Sequence, residues 1–341
     1  MPMKVRRIFE ALAIATAFVI SFTAAAPAGE RLDSIRQKGF LTCGVGADVP
    51  GFSRRGPGGQ WTGFDIDICK AIGAVIFGTS GKVVYRPVDT VENFLRQRDI
   101  DLVLRGLTWT SGRETQGNLR FGPIVLYDGQ SFLVPKRLKI TSPDALSGRN
   151  ICVSTDAGFL GGVRSYFQQH NLTLKAVVKE HRAESEAALF SGQCDAMTAD
   201  ASELAEALIG RAKNPDDYRI LPQRISKEPL APLLRKGDDE LLDAVRWAIF
   251  ALVDAEELGI TSSNLVAMHQ REDPEGKAFF ASPMVMNREL AKGWAAAAVN
   301  AAGNYGEIFD RNLGTQSKAK LDRGLSRLWT EGGLMYAPPI R

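Results

Sequence analysis

Two stretches of this chain carry the same order of elements, and that repeat restricts the fold more than any other feature. In the first, "FLTCGVG" (40–46) has the short apolar run of a strand. "FDIDICKAIGAVIF" (64–77) has apolar residues at helical spacing behind Asp65, a residue type suited to a helix N-cap. The β-branched "KVVYRPV" (82–88) predicts a second strand, "TVENFLRQRD" (90–99) a helix and "IDLVLRG" (100–106) a buried strand. The order starts again at "RNICVST" (149–155). It runs through a helix near 160–170, the strand "TLKAVVK" (173–179), a helix near 183–191, the strand "CDAMTA" (194–199) and the helix "ASELAEALIG" (201–210). A β-α-β-α-β order is most economically a parallel sheet covered by helices, so an α/β protein with two open sheets is expected. Such sheets bind ligands outside the carboxyl ends of their strands, and two edges facing each other make a cleft.

The rest of the chain fits around these units. "YDGQSFLVPKRL" (127–138) joins them, and "RISKEPLAPLLRKG" (224–237) is a return segment after the second. "DDELLDAVRWAIFALVDAEELGI" (238–260) is a strongly periodic helix that needs a sheet to pack on, and the tail 265–341 breaks into short helical pieces punctuated by Gly and Pro. At the other end, Lys4, Arg6 and Arg7 precede the apolar run "ALAIATAFVISF" (11–22) and the small-residue segment "TAAAPAG" (23–29). That is the order of a secretory signal peptide, predicted over 1–28 with cleavage after Ala28, which leaves about 313 residues outside the cytoplasm. Its removal lowers the formal net charge from +3 to about +1, and a near-neutral chain without a basic run makes no electrostatic case for nucleic acid.

Cys43, Cys69, Cys152 and Cys194 then lie in an oxidising compartment, where an even count favours two disulfides. Four cysteines allow three connectivities. Pairing Cys43 with Cys69 and Cys152 with Cys194 orders the least chain and keeps each bond inside one unit. No C-x-x-C spacing occurs and the three histidines, His170, His181 and His269, are scattered, so no metal site is expected.

The chemistry concentrates at two strand ends. "LRGLTWTSGRE" (104–114) follows a strand and leads into a helix whose start is signalled by Ser111 and Glu114, the spacing of a capping box. Backbone N–H groups and the helix dipole there favour an anion, Arg113 can grip a carboxylate with two parallel N–H bonds, and Thr108 adds a hydroxyl. Arg105 and Arg113 are also explained as surface charges facing Asp99, Asp101 or Glu114. In the second unit Asp200 ends a strand at the matching edge, suited to a ligand ammonium or to capping the helix that follows. Both roles are compatible, with one oxygen capping and the other facing the ligand. An anion clamp on one lobe and a carboxylate on the other suit a zwitterion bridging the two. There is no G-x-S-x-G, no histidine near a serine or cysteine and no phosphate loop.

With these residues the chain resembles the periplasmic amino-acid-binding proteins of ABC importers, in their general L-amino-acid-binding branch. The resemblance runs from "WTGFDIDICKAI", "RGLTWTSGRET" and "YDGQSF" through "CDAMTADASEL", "NPDDYRILPQRISKEPL" and "FALVDAEELGITSSN" to "NYGEIFDRN" and "LWTEGGLMYAPPIR". It implies the two-lobed type II periplasmic-binding fold, with two hinge crossings near 129–134 and 225–230 and a helical C-terminal extension. One lobe would comprise 29–130 and the return 229–264, with the extension 265–341 packed on it; the other would comprise 131–228. The same resemblance implies a monomeric periplasmic binding protein, neither an enzyme nor a holder of a cofactor, that takes an L-amino acid to a membrane permease. Carried over by position, Arg113 would hold the α-carboxylate, Thr108 and Gly106 would donate beside it, Asp200 would receive the α-amino group, and Arg105, Gly158 and Asp48 would lie at the site.

Several positions depart from that branch. Asp156-Ala157-Gly158 stands where Gly-Thr-Thr is usual, Gly46-Ala47-Asp48 where Asn-Thr is common, and Gly106-Leu107 where Asn-Thr precedes the threonine. The added acids, Asp48 and Asp156, either favour a cationic ligand side chain or lie on the rim. They are also the acid–base candidates for an alternative, a periplasmic enzyme resembling the cyclohexadienyl dehydratases on the same fold. A third reading, a sensory receptor domain, calls for a membrane segment after the tail, and no apolar stretch long enough occurs there.

Overall fold

The repeat becomes two five-stranded sheets of one design in a computed structural model of the chain, which describes residues 30–79, 81–115, 117–155, 158–284 and 293–341. The leader predicted over 1–28, together with Asp156 and Ala157, lies outside these residues. In the first sheet Leu41–Val45 is the second strand, parallel to Val83–Pro87 on one side and to Leu102–Val103 on the other. In the second, Asn150–Ser154 holds the same place between Lys175–Lys179 and Ala196–Asp200. All five residues of Leu41–Val45 are buried, as expected of a parallel strand covered on both faces. The strand predicted over 100–106 is ladder-paired only at Leu102–Val103, and Gly106, at φ +64°, turns the chain into the loop that follows.

Each sheet then receives a strand from across the chain. Leu233–Arg235 enters the first sheet antiparallel, after the whole second unit has been built, and Gln130–Pro135 enters the second sheet antiparallel, before it. The two connections pair with each other as an antiparallel ribbon, Leu126–Asp128 against Glu228–Leu230. The first crossing thus lies just ahead of the 129–134 segment expected for it. Gly129 follows the ribbon where the backbones nearly touch: a Cβ added there would lie 2.3 Å from the Ser226 carbonyl oxygen.

Local chemistry explains the ends of two first-unit helices, one of them differently from expectation. Helix Phe64–Phe77 is capped by Gly63 and not by Asp65, because a Cβ at Gly63 would sit 2.1 Å from the Phe52 carbonyl oxygen. Asp65 lies buried in the first turn, 2% exposed. Helix Asp239–Glu257 begins where Asp238 accepts from the Leu241 N–H at 2.7 Å.

Beyond Asp239–Glu257 the tail continues the first unit. Helix Trp294–Ala302 packs on Phe64–Phe77 and Asp239–Glu257, and helix Tyr305–Asn312 starts in a capping box of Asn304 and Glu307. Arg311 and Asn312 bond the Asp67 carboxylate at 2.8 and 2.9 Å, pinning the tail to the first unit. The tail also reaches the ribbon. The Tyr305 hydroxyl donates to the Val125 carbonyl at 2.9 Å, and the Tyr127 N–H donates to Ser326 Oγ at 2.9 Å.

The disulfides are the local pairs. Cys43–Cys69 ties strand Leu41–Val45 to helix Phe64–Phe77, and Cys152–Cys194 ties Asn150–Ser154 to the entry of Ala196–Asp200. They close loops of 26 and 42 residues. Chain-entropy scaling then puts the cost of removing either by paired Cys→Ser substitution at about 3.5–4 kcal/mol. Urea unfolding of each double variant at pH 7 measures that loss.

Candidate functional site

The clamp loop is registered to the ribbon. After Gly106 turns the chain, Thr108 pairs with Leu230 as an isolated bridge, the Ala231 N–H donates to the Leu107 carbonyl at 3.1 Å, and the Trp109 N–H donates to the Pro229 carbonyl at 2.8 Å. Helix Ser111–Thr115 follows. Its start is not the predicted Ser111/Glu114 capping box: Thr110 Oγ1 accepts from the Arg113 N–H at 3.2 Å, one residue earlier. Glu114 instead accepts from the Trp109 indole at 2.7 Å, and that ring stacks on Phe121 with centroids 5.8 Å apart. Arg113 Nη1 donates to the Thr108 carbonyl at 2.7 Å, which orients the guanidinium beside the loop while leaving the group exposed to the cleft.

The opposing edge belongs to the second sheet. Asp200 ends strand Ala196–Asp200 at the N-cap position of helix Ala201–Gly210, yet its side chain makes no capping bond. The cap comes from the ribbon: the Ser202 N–H donates to Asp128 Oδ2 at 3.2 Å. The capping half of the dual role expected for Asp200 therefore falls to Asp128. Asp200 keeps a buried Oδ1 that has no hydrogen-bond partner among the described residues. Burial, reinforced by Asp128, Glu203 and Glu228, pushes its carboxyl up to about 8.

Arg105, Gly106, Leu107, Thr108 and Arg113 from the first lobe and Asp200, Ser202, Glu203, Glu206 and Arg182 from the second line one cavity of about 310 Å³, with Val49, Phe52 and Leu230 as apolar wall. The lobes touch beside it: a Cβ on Gly210 would lie 2.8 Å from Pro50 Cγ, and one on Gly51 2.8 Å from Ile209 Cδ1. Arg105 is half-buried, with an unpartnered Nε. Burial lowers its proton affinity against the opposing pull of Asp89 and Asp65. Asp65 beneath it is pushed up to about 8, by burial first and by Glu206 second.

Two predicted site residues are not brought into the cavity lining. Asp48 pairs with Arg54 at 3.0 Å on the surface, its side chain 65% exposed, because the short Arg54–Arg55 and Trp61–Thr62 hairpin brings that cation beside it. Gly158 starts helix Phe159–Gln169 from an exposed position at φ +77°. Conversely, Arg182, Glu203 and Glu206 escaped the sequence reading. The i, i+3 spacing of the glutamates on one helix was visible, but nothing local showed that Arg182 would reach them from the helix Arg182–Phe190. Arg182 Nη2 donates to Glu206 at 2.9 Å, Nη1 lies 3.3 Å from Glu203, and Nε lies 3.3 Å from Glu186.

Two sheets joined by a paired crossing, with a charged cavity between their carboxyl edges, define a two-lobed solute-binding protein. The chain belongs to the bacterial extracellular solute-binding proteins, family 3, matched over residues 41–262. It is 41% identical to the general L-amino acid-binding periplasmic protein AapJ of Rhizobium johnstonii, over 95% of this chain and 97% of that one. It is 38% identical to the glutamate/glutamine/aspartate/asparagine-binding protein BztA of Rhodobacter capsulatus, over 94% and 96%. Among solved structures it resembles a periplasmic binding protein from Brucella ovis with glutathione bound, at 38% identity and a TM-score of 0.76, covering 91% of this chain and 99% of that one.

Burial of Asp200 has a consequence for stability. Its carboxyl titrates near 8 folded and near 3.8 unfolded, so between those values the folded state holds a proton the unfolded state has lost. That contribution is full below pH 3.8 and declines as pH rises towards 8. In the ligand-free protein, Asp200→Asn therefore gains stability over wild type by at least about 1.4 kcal/mol between pH 5 and pH 8, read from urea unfolding at the two values.

Proposed function

We propose that this protein captures an L-amino acid between its lobes and delivers it to the membrane permease of an ABC importer. The observation that carries the reading is the pairing of opposites across one cavity: Arg113, oriented by Thr108 on the first lobe, faces the side of the second lobe where Asp200 holds a buried, unpartnered oxygen. A zwitterion satisfies both, its carboxylate on the guanidinium and the Thr108–Gly106 loop, its ammonium on Asp200. Because the two sets of contacts come from different lobes, they coexist only when the lobes meet, and the ligand shifts the protein toward closure. The reading takes 29–130 with 229–264 as one lobe, 131–228 as the other, and 265–341 as an extension on the first. It takes 1–28 as a leader to the periplasm and the working form as a monomer. The names of the two curated relatives support an amino-acid ligand. Against the enzyme alternative, Asp48, one of its two acid–base candidates, pairs with Arg54 on the surface outside the cavity lining.

Two outcomes check this reading by calorimetry. Arg113→Ala lowers affinity for the best amino acid at least about a hundredfold, roughly 2.7 kcal/mol, by leaving its carboxylate without a partner; a loss of about threefold or less would sink the assignment. At pH 7 wild-type binding releases protons, because the ammonium draws the raised Asp200 carboxyl into its anionic form; heats in two buffers of different ionisation enthalpy count them. Affinity accordingly rises with pH up to about 8.

A further inference from the structure

Resting on that reading, we infer that the side-chain end of the cavity selects a cationic group, an ammonium or guanidinium, with Glu203 as the receiving carboxylate and Glu206 behind it. Both glutamates project from helix Ala201–Gly210 into the cavity, three residues apart on one face. Arg182 stands among them with Nε, Nη1 and Nη2 directed at Glu186, Glu203 and Glu206. A guanidinium so committed is not an open receptor for a ligand carboxylate. Arg211 pairs with Glu186 at 2.7 Å, and Arg105, which lines the same cavity from the first lobe, attracts Glu206 from across it. The second-lobe wall therefore presents more carboxylates than cations even before Asp200 is counted. Among the described residues, Glu203 Oε2, like Asp200 Oδ1, is a buried oxygen that receives no donor.

The ligand's side chain meets this surplus. An acidic side chain adds like charge beside Glu203 and Glu206, and a neutral apolar one leaves Glu203 Oε2 buried and unsatisfied. A cationic side chain supplies the missing donor and offsets the surplus. Burial first, and the neighbouring acids after it, push Glu203 up to about 7 against the pull of Arg182. The acids that carry the preference are thus Glu203 and Glu206 and not the exposed Asp48.

Matched pairs of ligands of one shape test this: L-arginine against L-citrulline, and L-ornithine against L-norvaline, by calorimetry on the full protein at pH 7.5. The cationic member binds at least about tenfold more tightly in each pair, as expected for a buried charge that gains a partner. Glu203→Gln, which keeps the shape, lowers the arginine-to-citrulline affinity ratio at least about fivefold. If that variant fails to fold, by its thermal unfolding, the wild-type ratios decide alone. Citrulline, norvaline or L-glutamate binding as tightly as the cationic ligands would overturn the inference and leave the Arg113–Asp200 clamp standing. An unchanged ratio in Glu203→Gln, with both members weakened alike, would also overturn it and place Glu203 beside the α-ammonium. No binding of any α-amino acid would sink the clamp reading and this inference with it.

Discussion

The pairing of Leu126–Asp128 with Glu228–Leu230 is the interaction on which the rest depends. Each strand of this ribbon continues into the sheet of the opposite lobe, so its register sets how the two carboxyl edges face. The clamp loop hangs from one strand, through the bonds of Leu107 and Trp109 to Ala231 and Pro229. The helix bearing Glu203 and Glu206 is capped by Asp128 of the other. The anion half and the cation half of the cavity are thus referenced to one two-stranded element, which also makes it the natural axis for closure. The tail braces the same element from behind, through Tyr305 on Val125 and Ser326 on Tyr127.

Charge in the cavity is divided between the two lobes. The first lobe brings Arg105 and Arg113, and the second brings Asp200, Glu203 and Glu206 around the already committed Arg182. Burial is the main cause that raises the proton affinity of these acids; Asp128 adds to it at all three, while Arg182 opposes it at Glu203 and Glu206. In the proposed reading a bound zwitterion reverses that cost, which would join capture, lobe closure and proton release in a single equilibrium. Assigning the helix cap to Asp128 is what leaves Asp200 free of a backbone partner; had Asp200 capped its own helix, one oxygen would already be spent.

Much of this was legible beforehand. Short apolar or β-branched runs and spacings of 3.6 are local signals, so the repeated strands and helices were readable within a few residues of their observed bounds. The local disulfides followed from the smaller entropy of short loops. Turn and cap details were less so: Gly63 displaced Asp65 as a cap because the Phe52 carbonyl passes close by, and Thr110 displaced Ser111 because Trp109 had claimed Glu114. Those choices depend on neighbours that arrive from elsewhere in the chain.

By itself the sequence determined the class: two α/β units, their order, their cysteine pairs and an arginine and an aspartate at matching strand ends, because periodicity and strand-end position are properties of contiguous residues. Only the tertiary structure decided which charges share the cavity. Asp48 left it for Arg54, six residues away, while Glu203, Glu206 and Arg182 entered it from two helices that meet only after the second sheet forms. Charge partnership is set by distances of a few ångströms through space, and sequence spacing carries no such distance between separate elements.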